Sequence, residues 1–234
     1  MTNLAYLSDL IEPPEDPELD RKLGEALRTK QTDPSRSNQL LRELADAGGY
    51  AAGTSHLELA RRYAWGDSLP RDAQKSLEHV MAAIDLGEAS AMRYLAAEYG
   101  RFRNAELDEL LDFGERIVEP DSVEARKWYR KVAETTGREA DWVYLADFIR
   151  QGRSARECTP EELADIEKGY STSGSYHALG QLYCEDKEGC TREELAIARR
   201  WYEKGRDNGD VECTSVLLRW GEGRPGDARQ LETP

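Results

Sequence analysis

Apolar residues recur along this chain at helical spacing, in paired segments that are separated by a loop and closed by a glycine. Eight residues beyond Gly137 lies Leu145, eight beyond Gly209 lies Leu217, and Gly87 leads in the same way to Leu95 and then Tyr99. Leu59 and Tyr63 show the same four-residue step upstream, and Leu179-Gly180 with Tyr183 is a further copy. Positions i, i+3 and i+4 share one face of a helix, whereas strands alternate, so the pattern predicts helices throughout. First helices are predicted at about 55–65, 89–101, 139–151, 175–185 and 211–220, and second helices at about 38–48, 72–86, 122–136, 160–171 and 192–207.

Taken as register marks, Gly53, Gly87, Gly137, Gly174 and Gly209 are spaced by 34, 50, 37 and 35 residues. Periods of this size belong to solenoids of helix hairpins, each unit burying its apolar face on the next. The long interval is an ordinary unit plus an insertion at about 103–121, RNAELDELLDFGERIVEPD, in which Leu107, Leu110, Leu111 and Phe113 offer an apolar face. Leu23-Gly24 marks a degenerate unit that begins near residue 17. The expected organisation is an acidic, Pro-rich segment over 1–16, the array over 17–222, and a flexible tail over 223–234 with too few apolar residues to pack.

Two stretches nearly coincide, ARKWYRKVAETTG from Ala125 and ARRWYEKGRDNG from Ala198. Ala125, Trp128 and Tyr129 fall on one face, which is predicted to pack on the preceding first helix, while Arg130 and Lys131 fall outside it and stay solvated. The glycine that closes each stretch is expected to end its helix in a left-handed conformation.

Leu-Gly-x-x-Tyr, a Gly-x-Gly-Val loop, then Ala-x-x-Trp-Tyr-x-Lys-Ala-Ala and a closing glycine is the pattern of Sel-one-like repeats (SLR), relatives of tetratricopeptide repeats. Residues 37–222 resemble that family. The matches are Leu59, Tyr63, Gly66, Asp72 and Gly87, then Ala125, Trp128, Tyr129, Lys131, Ala133 and Gly137, and finally Leu179, Gly180, Tyr183, Ala198, Trp201, Tyr202, Lys204 and Gly209. Departures are Ser68 at the loop's second glycine, His79-Val80 in place of Trp-Tyr, and the stretch TPEELADIEKGYSTSG. The resemblance implies an all-α, right-handed α/α solenoid of about five hairpins with a degenerate N-terminal unit and one acidic insertion. It also implies that first helices line an inner wall whose variable positions meet a protein ligand. Those positions are Leu57 and Arg61, Arg93 and Ala97, Val143 and Asp147, and His177 and Gln181, with Arg150 one turn further on. The alternative is that these arginines are merely solvated, or pair with Glu58, Glu98 and Asp147. Proteins of the type that the chain resembles are adaptors in bacterial signalling, envelope biogenesis, host interaction or toxin neutralisation.

Charge changes this picture in one respect. The formal net charge is -14, but residues 1–20 carry -6 and residues 104–124 carry -7, leaving only -1 for the rest. No basic face is evident, which argues against general nucleic-acid binding. Hairpin stacking does not require the acids of the insertion, so Asp108, Glu109 and Asp112 are candidates for a docking face toward a basic partner, against the alternative of a solvated excursion. The specific expectation is a bacterial immunity or regulatory protein bound to such a partner.

Candidate chemistry is sparse. The sequence contains no phosphate-cradling glycine loop, His-Glu-x-x-His or Gly-x-Ser-x-Gly. His56, His79 and His177 are expected at distant places, one per helix. Glu161-Glu162 and Glu193-Glu194 fall in first turns, where acids complement the helix dipole, and Asp72 and Asp121 are expected as caps. Cys158, Cys184, Cys190 and Cys213 are expected as free thiols, with no metal and no cofactor. The competing reading is a metal-dependent hydrolase built around His177, Cys184 and Cys190, whose spacing matches no zinc pattern well. No apolar run approaches the roughly 20 residues that span a bilayer, and the N-terminus lacks a basic region before an apolar core, so a soluble cytoplasmic protein is expected.

Overall fold

A computed structural model describes residues 16–100, 116–185 and 189–221. Within them the regular structure is eleven α-helices and a 3₁₀ turn, with no strand. The chain divides into two compact units, residues 1–128 and 129–234. The first holds α1 (Pro17–Thr29), α2 (Pro34–Ala47), α3 (Gly49–Trp65), α4 (Ala73–Asp85), α5 (Ala89–Gly100) and the start of α6 (Ser122–Thr136). The second holds the remainder of α6, α7 (Glu139–Arg150), the 3₁₀ turn Ala155–Glu157, α8 (Pro160–Thr172), α9 (Tyr176–Tyr183), α10 (Arg192–Asp207) and α11 (Val211–Arg219). This is the all-α array of hairpins that the period predicts, with α1 and α2 forming its degenerate first unit.

Helix starts are set by short polar side chains. Asp16, Asp33, Asp72 and Asp210 each accept a hydrogen bond from a first-turn amide, and Thr159 and Thr191 form reciprocal capping boxes with Glu162 and Glu194. Each such cap is worth about 1 kcal/mol. Asp121 accepts from the amides of Val123 and Glu124 at the start of α6, so Asp72 and Asp121 are caps as expected.

In the first unit, Leu23, Ala26, Leu40, Leu41, Leu44 and Leu59 form one apolar cluster. Beside it sits Arg62, wholly buried, its Nε 3.1 Å from Glu58 and its Nη1 donating to Ser37 Oγ (2.9 Å) and Asn38 Oδ1 (2.7 Å). This network ties α3 to α2, and the hydrophobic pattern gives no hint of it. In the second unit, Leu145, Ala146, Ile149, Ile166, Leu179 and Leu182 build the main core, and Ala198, Tyr202, Cys213, Val216 and Leu217 a smaller one.

Three expectations are corrected. Gly53 does not close a helix: α2 ends at Gly48 and Gly49 (φ 80° and 75°), and α3 runs through Gly53 from residue 49 rather than from about 55. The other register marks, Gly87, Gly137, Gly174 and Gly209, do take positive φ, between 62° and 85°. Tyr129 meets Phe148 of the following helix α7 (ring centroids 5.1 Å), so this face does not serve the preceding helix alone. Arg130 is not left solvated, because α8 presents carboxylates to it: it pairs with Asp165 and with Glu161 at 2.6 Å. Lys131 is exposed as expected. Ser68, standing where the repeat has glycine, adopts φ 66°, so the loop keeps its left-handed turn despite the side chain.

Candidate functional site

In the first unit, the face built from first helices opens into a groove of about 600 Å³ lined from the end of α1 (Lys30), from α3 (Glu58, Arg61, Arg62, Trp65) and from α5 (Tyr94), with Asp67 at the rim. Arg61 and Trp65 are one turn apart on α3 and so share a face. Trp65 is 42% exposed, and the Arg61 guanidinium lies 5.9 Å above the Tyr94 ring. Lys30 is held by Asp67 at 2.7 Å and Glu58 at 3.4 Å. These bonds raise its pKa against the opposing effect of burial. Glu58 thus serves Lys30 and Arg62 rather than Arg61. Arg93 is half-buried on α5, next in sequence to Tyr94.

The histidines are not all far apart. His56 on α3 and His79 on α4 face each other with their Nδ1 atoms 2.8 Å apart, and His79 stacks on Tyr63. At that distance one nitrogen must be protonated and the other bare. Burial lowers both pKa values, and the neighbouring His56 lowers that of His79 further. The sequence hides this pair because 23 residues separate the two, and only the hairpin brings them together.

In the second unit, Asp147 and Arg150 meet at one ring. The Tyr170 hydroxyl donates to Asp147 Oδ1 at 2.7 Å, and the Arg150 guanidinium lies 5.8 Å from the ring centroid. Burial, then the carboxylate, pushes the phenol up to about 12. Arg150 and Gln181 line a second groove, of about 390 Å³, together with Arg153, Arg156 and Glu194. Arg156 pairs with Glu194, and that hydrogen bond holds the carboxyl down to about 2. His177 turns instead toward Glu212, 3.2 Å away, and the Tyr202 ring. The sequence-predicted strip is therefore resolved into Arg61 and Arg93 in one unit, and Asp147, Arg150, His177 and Gln181 in the other. Trp65, Tyr94 and Lys30 were missed, since none stands at a repeat-signature position; the i, i+4 spacing of Arg61 and Trp65 was the available signal.

The expectation of four free thiols is overturned at two of them. Cys184 and Cys190, six residues apart in sequence, form a disulfide, with Cα atoms 6.0 Å apart. Cys158 and Cys213 are free, and burial raises both pKa values. With both sulfurs bonded to each other and His177 paired with Glu212, the hydrolase reading loses its ligand set. Among the described residues no group of three or more His, Cys, Asp or Glu could hold a metal ion. None of the described helices is long and apolar enough to cross a membrane. Asp108, Glu109 and Asp112 of the insertion lie outside the described residues, as do Leu107, Leu110, Leu111, Phe113, nearly all of the N-terminal acidic segment and the C-terminal tail.

Compared with known proteins, the chain matches the Sel1 repeat model over residues 54–88, 89–134 and 173–210. Similar solved structures include a Sel1 repeat protein from Oxalobacter formigenes, 18% identical, covering 90% of this chain and 79% of that one, with a TM-score of 0.47. A protective antigen of uropathogenic Escherichia coli displaying an SLR fold is 18% identical over 91% of this chain and 51% of its own, with a TM-score of 0.34. An immunity protein from Pseudomonas aeruginosa is 20% identical over 97% of this chain and 80% of its own, with a TM-score of 0.41. No curated protein matches significantly.

Proposed function

Given that the chain belongs to the Sel1 repeat family, we propose that it is a non-catalytic scaffold that binds another protein through the first-helix face of its hairpins. The observation that carries this reading is the groove of the first unit, where Trp65 is left 42% exposed beside Arg61 and Tyr94. Tyr144, on first helix α7 of the second unit, is likewise exposed, whereas the signature Tyr202 of a second helix is buried. Trp, Tyr and Arg are the residues that most often anchor protein interfaces. Groups that would suggest catalysis have structural duties instead: Asp72 and Asp121 cap helices, and Glu162 and Glu194 close capping boxes.

The partner in this reading is a basic protein, and the chain an immunity or regulatory protein, since a net charge of -14 steers a basic body toward it. Asp108, Glu109 and Asp112 form a further docking face in the same reading. Arg93, Asp147, Arg150, His177 and Gln181 extend the first-helix surface. Thiol titration of protein from its native cell decides between the cytoplasm and an oxidising compartment, where disulfides persist.

A photo-crosslinking residue placed at position 65, on first helix α3, is expected to trap one protein in the native cell, while the same residue at Val123, 60% exposed on second helix α6, traps none. Trapping at Val123 alone overturns the first-helix assignment. A chain that is trapped with nothing from either position is not a binding scaffold.

A further inference from the structure

We infer that the groove between α1, α3 and α5 takes an acidic side chain of the partner that is flanked by a bulky apolar residue. Arg61 reads the carboxylate, and Trp65 and Tyr94 receive the apolar neighbour. The inference rests on the protein-binding reading above and adds the chemistry of what is bound.

The argument starts from charge. Three cations line the groove, and two are already answered: Lys30 lies between Glu58 and Asp67, and Arg62 is buried against Glu58, Ser37 and Asn38. Both carboxylates of the groove are used in those contacts. Arg61, exposed, has only the Tyr94 ring beneath it among the described residues. Among the described residues the groove therefore carries one unmatched positive charge, on a chain whose formal net charge is -14.

Geometry then says what that charge can do. Cation–π attraction to an aromatic ring uses none of the guanidinium's N–H groups as hydrogen-bond donors to oxygen, so the fork that fits a carboxylate in bidentate fashion is still available. Tyr94 thus holds Arg61 in place and lowers the entropic cost of ordering a long side chain on binding. One turn along, Trp65 offers an open apolar surface, so a carboxylate on Arg61 brings its neighbouring residue over an aromatic platform. A lysine or arginine arriving at the same point would meet like charge, with no free acid among the described residues to answer it.

The source of the carboxylate is an internal Asp or Glu rather than a chain terminus. Capture of a terminal carboxylate relies on clustered backbone N–H groups. Here Arg61 and Tyr94 project from the bodies of α3 and α5, whose amides are already bonded within the helix, and α1 presents the groove with its C-terminal end. A basic partner satisfies both levels of recognition: its overall charge speeds encounter, and one acid next to an apolar residue fixes it in the groove.

The test is selection of a phage-displayed library of random peptides, about a dozen residues long, on the intact chain, followed by binding measurements on the synthesised winners. Asp or Glu beside Leu, Ile, Phe or Trp should be enriched. Arg61→Glu should weaken those peptides by about tenfold or more, as should replacing the peptide's acid with its amide, because one partner of a charged pair is lost. Trp65→Ala should weaken them severalfold. Both side chains are exposed, so helicity and melting midpoint should stay unchanged and a loss of binding reports the groove. Enrichment of basic peptides, no enrichment, or equal binding to wild type and Arg61→Glu overturns the inference. If crosslinking at position 65 traps a partner whose affinity is indifferent to Arg61→Glu, the inference fails while the scaffold reading stands; if no partner is trapped, the scaffold reading itself falls.

Discussion

The α3–α4 hairpin of the first unit and the α9–α10 hairpin of the second solve one packing problem with different residues. In α10 the signature Ala198, Trp201 and Tyr202 are present; Tyr202 is wholly buried, its hydroxyl donating to the Cys184 carbonyl at 3.2 Å. The facing position on α9 is Gly180, where a Cβ would overlap the Tyr202 ring. In α4 the equivalent residues are Ser76, His79 and Val80. Val80 is wholly buried, Ser76 Oγ donates to the Ala60 carbonyl at 2.8 Å, and Ala60 stands where α9 has glycine. A large ring thus goes with a glycine and a smaller side chain with an alanine. The difference teaches that these two seams trade side-chain size across the hairpin rather than keep residue identity, as close packing demands. It also shows what a departure from the signature can introduce, since His79 brings a second histidine, His56, into a polar contact that the aromatic hairpin does not have.

Breaking the aromatic side of this comparison should have the largest effect. Tyr202→Ala empties a ring-sized space and is expected to cost about 3–5 kcal/mol, read as a lowered denaturation midpoint. Next, Gly180→Ala should cost about 1–3 kcal/mol, because the added methyl meets the ring rather than a flexible chain end. Combining it with Tyr202→Val, which copies the Ala60 and Val80 pairing, should cost clearly less than the two single changes added together. Full additivity in that cycle would mean that the two positions do not share one volume.

The smallest effect belongs to the polar side. Both His56 and His79 have folded pKa values below the ordinary histidine value, so the unfolded chain takes up protons first. Stability is then fully present above about pH 6.5 and is lost as pH falls from there through the folded values. Asp46 and Glu78 moderate this by favouring the charged forms, and Arg42 opposes them. Denaturation at pH 7 and at pH 5 should show a smaller difference for His79→Gln than for wild type. An equal difference would assign the acid sensitivity to other groups.

How much of this was legible in the sequence follows from the range of each interaction. Helix type and approximate position depend on local spacing, and α6 and α10 were placed to the residue, because caps, apolar period and closing glycine all agree there. Gly53 misled because a glycine inside a helix and one that ends it look alike as letters, and only φ distinguishes them. The candidate residues Arg61, Asp147, Arg150 and Gln181 were nameable from their offset to an anchor leucine. The partners of Arg61, Asp147 and Arg150 were not, because Tyr94 and Tyr170 are supplied by other helices.

The sequence by itself determined that this chain is an array of helix hairpins, that aromatic and small residues form its seams, and that its acidity is confined to two segments. Periodicity and composition carry that information within a few turns of chain. Only the tertiary structure decided that Arg62 is buried in a polar network, that His56 meets His79, that Cys184 bonds Cys190, and that Arg61 is the one groove cation without a carboxylate among the described residues. Each of these depends on which side chains from separate helices or turns reach the same few ångströms, and packing settles that where local spacing cannot.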